Sequence, residues 1–183
     1  MNRIEKGSLL VLAIIVAFNI FFGLGSIPLL DPDEPVYAET AREMIQFNDY
    51  LSPRIYNEYW FDKPPMYYWL VAGAMHVFGD GEFAARFPAA LMAFLTVIML
   101  YCSITRLFNE RAGFWSALVL ATSVQFFYLG KAAVTDTTLL FFLTGSLLCY
   151  LHKQYWLMYV LSLILISEPT RRRGISYAVF CLK

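Results

Sequence analysis

Apolar residues run almost unbroken from Ser8 to Leu30, with Asn19 and Ser26 the only polar side chains inside the run. A helix needs about 20 such residues to cross a hydrocarbon core, so the pattern predicts a first membrane span over 8–30. Further spans are predicted over 83–107, 112–129 and 137–151, and the start of a fifth over 154–166. The segment between the first two, residues 31–82, carries two helical patterns of a different kind. Over Glu34 to Gln46, Val36, Ala41, Met44 and Ile45 can share one face against Glu39, Arg42, Glu43 and Gln46. Pro35 suits the first turn of that helix, and Asp33 or Glu34 can cap it. Pro64 to Phe78 is apolar and aromatic but too short to cross, which predicts an interfacial or re-entrant helix with Tyr67, Tyr68 and Trp69 at headgroup depth. The predicted fold is therefore all-α and integral to the membrane: a multi-span helical bundle whose outer-face loop, 31–82, carries amphipathic juxtamembrane helices.

Composition supports the pattern. Of 183 residues, 59% are hydrophobic and 15% charged, and the mean hydropathy is +0.55. A soluble fold of this length needs more polar surface, so the apolar excess is expected to face lipid. The net charge of zero conceals an asymmetry. Asp31 to Lys63 holds eight acids (Asp31, Asp33, Glu34, Glu39, Glu43, Asp49, Glu58, Asp62) against Arg42, Arg54 and Lys63, an excess of five negative charges. No basic stripe is offered to phosphates, which argues against nucleic acid as a partner. Cys102, Cys149 and Cys181 lie too far apart to suggest a metal site or disulfide framework.

Sidedness follows from the basic residues. Arg3 and Lys6 place the N-terminus in the cytoplasm, and counting spans then puts Arg106, Arg111 and Lys153 inside as well. The acidic segment and Lys131 to Asp136 fall outside. A signal peptide competes for the first apolar run, but the run continues to Leu30 without a small-x-small cleavage site. The C-terminus breaks the pattern: after Ile166 come Ser167-Glu168-Pro169-Thr170-Arg171-Arg172-Arg173, and the fifth span stops short. The expectation is that residues 1–166 form the N-terminal part of a larger transmembrane domain and that 167–183 is an anomalous, truncated or out-of-frame tail.

Three polar groups converge on the outer face in this topology: Asp33 and Glu34, Asp62 and Lys63, and Lys131 with Asp136. Each has an ordinary structural reading. A DPDEP loop can be a capping turn, a lysine beside two prolines can snorkel, and Asp136 can cap the span it precedes.

Their order along the chain resembles a known family. An apolar span is followed by D-E with Tyr37 three residues after Glu34, then Ala41-Arg42-Glu43-Met44, Phe61-Asp62-Lys63-Pro64-Pro65, Tyr68-Trp69-Leu70, Phe83-Ala84-Ala85-Arg86-Phe87-Pro88 and, later, Thr135-Asp136. The series is similar to membrane glycosyltransferases of the C-type fold, nearest to bacterial relatives of protein O-mannosyltransferases and of the aminoarabinose transferase that modifies lipid A. The likeness covers about Ser8 to Ile166. The chain departs from the aminoarabinose enzymes in carrying Val36 where they have Arg, and Asp62 where they have Glu.

The resemblance implies transfer of a sugar from a polyprenyl-phosphate donor to a lipid, glycan or protein acceptor, with inversion. Asp33 is then the expected general base, Asp136 a second carboxylate in the cavity and Lys63 the cation for the departing phosphate. Glu34, Tyr37, Asp62 and Lys131 are expected to support them. No cofactor is expected; Asp33, Asp62 and Asp136 could hold a divalent metal, but scattered carboxylates seldom do. Two other readings stand beside this one. A transporter would place ionisable residues near mid-span, whereas here they sit at span ends. An inactive fragment is the other.

Overall fold

The computed structural model describes residues 3–30, 32–61, 63 and 65–167. Asp31, Asp62 and the tail from 168 onward therefore lie outside the described residues. Eight helices follow in order: α1 (Arg3–Phe21), α2 (Asp33–Phe47), α3 (Met66–Phe78), α4 (Glu82–Leu107), α5 (Glu110–Thr122), α6 (Val124–Lys131), α7 (Asp136–Leu151) and α8 (Tyr155–Ser167). A small antiparallel hairpin, β1 (Arg54–Ile55) with β2 (Glu58–Tyr59), is added between α2 and α3.

The bundle is organised around α4. Leu12, Val16 and Ile20 recur every four residues along α1 and are buried against Ala90, Ala93, Val97 and Tyr101 of α4, while Leu10, Val11, Ile14 and Phe18 stay exposed. Two apolar faces with only one buried is what lipid permits and water does not. Small residues let the helices close: a Cβ placed on Gly113 of α5 would collide with Thr105 Oγ1 and lie 2.9 Å from the Tyr101 carbonyl. Asn109 caps α5, its side chain accepting from the Ala112 amide at 2.8 Å. Helix α4 is long and apolar enough to cross a membrane, and α5 with α6 makes a second such segment if the bent pair is one span.

A second apolar cluster forms the outer layer. Tyr37, Ala38, Ala41 and Met44 of α2 pack on Tyr67, Tyr68, Val71 and Met75 of α3, above Ala84 and Ala85 at the start of α4.

Four expectations need correction. The run 8–30 is not one helix: α1 stops at Phe21, Gly23 turns the chain at φ 68°, and residues 22–30 are turn and coil. The run 112–129 is broken at Ser123, where α5 and α6 meet at 66°; the Thr122 hydroxyl donates to the carbonyls of Leu118 and Val119, backbone bonding that commonly bends helices. Tyr67 and Tyr68 are fully buried and Trp69 alone of the three is exposed, so α3 turns its tyrosines into the protein rather than toward headgroups. Glu43 is buried rather than on the polar face, because its two carboxylate oxygens accept the Asn57 amide, each at 3.2 Å.

Candidate active site

Among the described residues one buried ion pair ties the coil after α1 and the start of α2 to α4. Arg86, in the second turn of α4, donates through Nε and Nη2 to Glu34 Oε1 and Oε2 at 3.0 and 2.7 Å. Its Nη1 donates to the carbonyls of Leu24 and Ile27, and Nη2 also to that of Pro28, at 3.1, 2.6 and 2.9 Å. All five guanidinium N–H groups thus have acceptors, which is the condition under which a buried arginine is tolerated. Glu34 in turn accepts the Leu30 amide at 2.6 Å and, across 99 residues, the Ala133 amide at 2.6 Å. Burial raises the pKa of this carboxyl, but the Arg86, Leu30 and Ala133 hydrogen bonds outweigh it and hold the pKa below the ordinary carboxylate range.

Glu34 is therefore no helix cap; the cap position of α2 is Pro32, with no side-chain hydrogen bond. The carboxylate draws together the coil after α1, the start of α2 and the loop before α7. Those are the segments that carry Asp33 and Asp136.

Lys63 closes the outer layer from the other side. Its ammonium donates to the Tyr37 hydroxyl and lies 4.5 Å from the centre of the Tyr37 ring. Tyr37 is buried, held edge-on by Tyr67 at 5.0 Å and tilted against Tyr68 at 5.8 Å. The Lys63 charge has no carboxylate partner among the described residues, and phosphate is a suitable partner for it. Asp33 is exposed, one helical turn before Tyr37 and so on the same side of α2.

Asp136, the first residue of α7, is also exposed. The Tyr67 hydroxyl feels it: burial first, then the charges of Tyr37, Glu34 and Asp136, push the pKa of that phenol well above its usual value. Glu34, Tyr37 and Lys63 therefore gather around the start of α2, and Glu34 holds the Ala133 amide three residues before Asp136. Lys131 does not join them. Its ammonium donates to the Phe22 carbonyl at 2.8 Å, just past the end of α1, and sits 4.8 Å over the Phe127 ring. A cation at a helix C-terminus is favourable there for the helix dipole alone.

Arg86 stands in the sequence within the Phe83–Pro88 motif, with no role of its own assigned there. The signal was present, since it is a charge in the second turn of the longest apolar helix, where an arginine requires a carboxylate. Among the described residues no group of three or more His, Cys, Asp or Glu side chains is gathered closely enough to hold a metal.

A helical bundle built around the long apolar α4, with a layer of short helices tied to it by the buried Arg86–Glu34 pair, is the architecture of a helical membrane protein. The chain belongs to the dolichyl-phosphate-mannose-protein mannosyltransferase family, whose model matches residues 62–167. It is 33% identical over 150 residues to the undecaprenyl phosphate-alpha-4-amino-4-deoxy-L-arabinose arabinosyl transferase of Yersinia enterocolitica, covering 81% of this chain and 27% of that protein. The enzyme of the same description from Photorhabdus laumondii is 29% identical over 182 residues, covering 99% of this chain and 31% of its own length.

Among solved structures, ArnT from Cupriavidus metallidurans bound to undecaprenyl phosphate superposes with a TM-score of 0.71 at 30% identity, over 76% of this chain and 26% of that one. The apo form of the same protein gives a TM-score of 0.79 at 23% identity over 97% of this chain and 36% of that one, a likeness of fold. The chain thus spans about a third or less of the length of the curated relatives named here.

Proposed function

We propose that this chain supplies the outer-face donor and base elements of an enzyme that transfers a sugar from a polyprenyl-phosphate carrier to an acceptor hydroxyl. The reading rests on Lys63, a cation with no carboxylate partner among the described residues, held by Tyr37 one turn along α2 from the exposed carboxylate of Asp33. The relatives' names support the donor class, since they specify an undecaprenyl phosphate sugar, and one related structure carries undecaprenyl phosphate.

In the proposed reaction the Asp33 carboxylate accepts the acceptor's proton as the hydroxyl oxygen attacks the anomeric carbon. The bond from that carbon to the phosphate oxygen breaks, and its electron pair stays with the phosphate, where Lys63 stabilises the added charge. One displacement of this kind inverts the anomeric centre. Asp136 stands as a second carboxylate on the acceptor side, and Tyr37 orients Lys63. The N-terminus is assigned to the cytoplasm and the site to the outer face, in keeping with Arg106, Arg111 and Lys153 at the opposite ends of the spans. In membranes containing the intact enzyme and a radiolabelled polyprenyl-phosphate sugar, label passes to the acceptor, and Asp33→Ala or Lys63→Ala abolishes the transfer. Unchanged turnover in both variants removes the mechanism.

A further inference from the structure

Ala41-Arg42-Glu43-Met44 takes no part in the proposed chemistry, yet it holds a buried acid. Glu43 is 5% exposed, and among the described residues no cation pairs with its carboxylate. Removing a charge from water is costly unless hydrogen bonds replace the lost solvation. Here the Asn57 amide donates to both carboxylate oxygens, at 3.2 Å each.

Asn57 stands at the tip of the hairpin between α2 and α3. Ile55 pairs with Glu58, so Tyr56 and Asn57 form a two-residue loop, with φ of 54° and 67°. Such a turn favours Asn followed by Gly, and a tyrosine held at positive φ is strained. Two strands of two residues each are too short to hold that turn by themselves. The support comes from α2: β1 packs against it, Arg54 is fixed at 3.0 Å by Asp49 just past its end, and Glu43 takes the loop amide. The Trp60 amide closes the base of the hairpin on the Pro53 carbonyl at 2.8 Å. Lys63 follows three residues later and returns to α2, on the Tyr37 hydroxyl. The segment that delivers the lysine is thus fastened to α2 at Glu43 and again at Tyr37, about 9 Å apart along the helix.

We propose that Glu43 is a positioning residue for the transfer reaction: through the Asn57 amide it fixes the hairpin that leads into Lys63, and so sets the lysine where it meets the donor phosphate. This rests on the assignment of Lys63 to that phosphate. Glu43 is buried and touches neither donor nor acceptor, so its loss acts on the placement of the lysine. Donor binding weakens, while a donor already bound transfers its sugar at the parent rate. A carboxylate that only stabilised the fold would produce no such split between affinity and turnover.

The test uses the intact enzyme in nanodiscs, with bare undecaprenyl phosphate as the binding probe and saturating labelled polyprenyl-phosphate sugar for single-turnover transfer. Glu43→Ala weakens the probe about 10-fold, the low end for a hydrogen bond to a charged group, and leaves the saturated transfer rate unchanged. Glu43→Gln keeps an acceptor for the Asn57 amide and restores affinity to within about 2-fold of the parent. Glu43→Asp keeps the charge but draws it back by one methylene; it weakens the probe by a smaller factor and stands in if Glu43→Ala does not fold. Parent-like affinity in the folded Ala or Asp variant overturns the proposal. So does a Gln variant as weak as Ala, or a saturated transfer rate that falls as far as affinity. Added to Lys63→Ala, Glu43→Ala lowers the residual affinity no further; a second loss of about 10-fold there means that Glu43 acts on something other than the lysine, and it overturns the proposal too. Lys63→Ala alone is read separately: undiminished binding of undecaprenyl phosphate refutes the phosphate assignment itself, whatever the Glu43 variants do.

Discussion

Replacing Arg86 with Gln leaves a carboxylate buried with most of its compensation gone. In the parent, the side chains of Arg86 and Glu34 are 5% and 4% exposed, and the pair is closed by two hydrogen bonds. The variant keeps the Leu30 and Ala133 amides on Glu34 but loses the charge, and it cannot serve all three carbonyls at Leu24, Ile27 and Pro28. Breaking one side of a buried pair costs about 3–5 kcal/mol. The Ile27 and Pro28 carbonyls lie in exposed chain and can be rehydrated, whereas Leu24 is buried and its orphaned carbonyl adds to the loss.

At roughly 2–4 °C per kcal/mol for a chain of this size, the melting temperature falls by about 10 °C. Tryptophan fluorescence during heating in detergent measures it. The double variant Glu34→Leu with Arg86→Met removes both charges and recovers most of the loss, so the losses of its two single variants do not add. A melting temperature for Arg86→Gln equal to the parent's, or single-variant losses that simply add in the double, refutes the keystone role.

Gly113→Ala forces α4 and α5 apart, since the new methyl meets Thr105 Oγ1 and the Tyr101 carbonyl; thermal denaturation should report a loss of about 1–3 kcal/mol. Tyr37→Phe deletes the hydroxyl that receives the Lys63 ammonium but keeps the ring beneath it. Donor KM in the transfer assay should rise about 5-fold, the worth of one ordinary hydrogen bond, with kcat little changed. For Glu34 the folded pKa is lowered, so its stabilisation is complete above the unfolded carboxyl's pKa of 4.5 and disappears as pH falls through the folded pKa. Melting curves from pH 7 downward should therefore show an acid-dependent loss below about pH 4 that is absent in Glu34→Gln.

How much of this was legible in the sequence depends on whether the physics acts through side chains or through the backbone. Helices α4, α7 and α8 fall within a residue of the apolar runs 83–107, 137–151 and 154–166, because hydropathy and span length are properties of side chains in series. The end of α1 was not legible in the same way. Leu24, Ile27, Pro28 and Leu30 are as apolar as the helix before them, yet three carbonyls there are taken by an arginine some 60 residues later.

The break at Ser123 has no proline or glycine to mark it, only a threonine bonding back to the previous turn. For α3 the information was there but was read by residue type: tyrosines suggest an interface, while their spacing with Val71, Ala72 and Met75 gives the buried face. Glu34 was visible as a charge at the membrane edge. Its partner needed the fold, since 52 residues separate it from Arg86.

The division of labour between Lys63 and Asp33 is the centre of the account, and a single-turnover experiment separates the two roles. Intact enzyme is mixed with labelled polyprenyl-phosphate sugar, bound donor is measured first, and acceptor is then added. Asp33→Asn binds donor as the parent does but fails to transfer it, whereas Lys63→Ala does not retain donor at all. Transfer by Asp33→Asn at the parent rate, or parent-like donor retention by Lys63→Ala, contradicts the account.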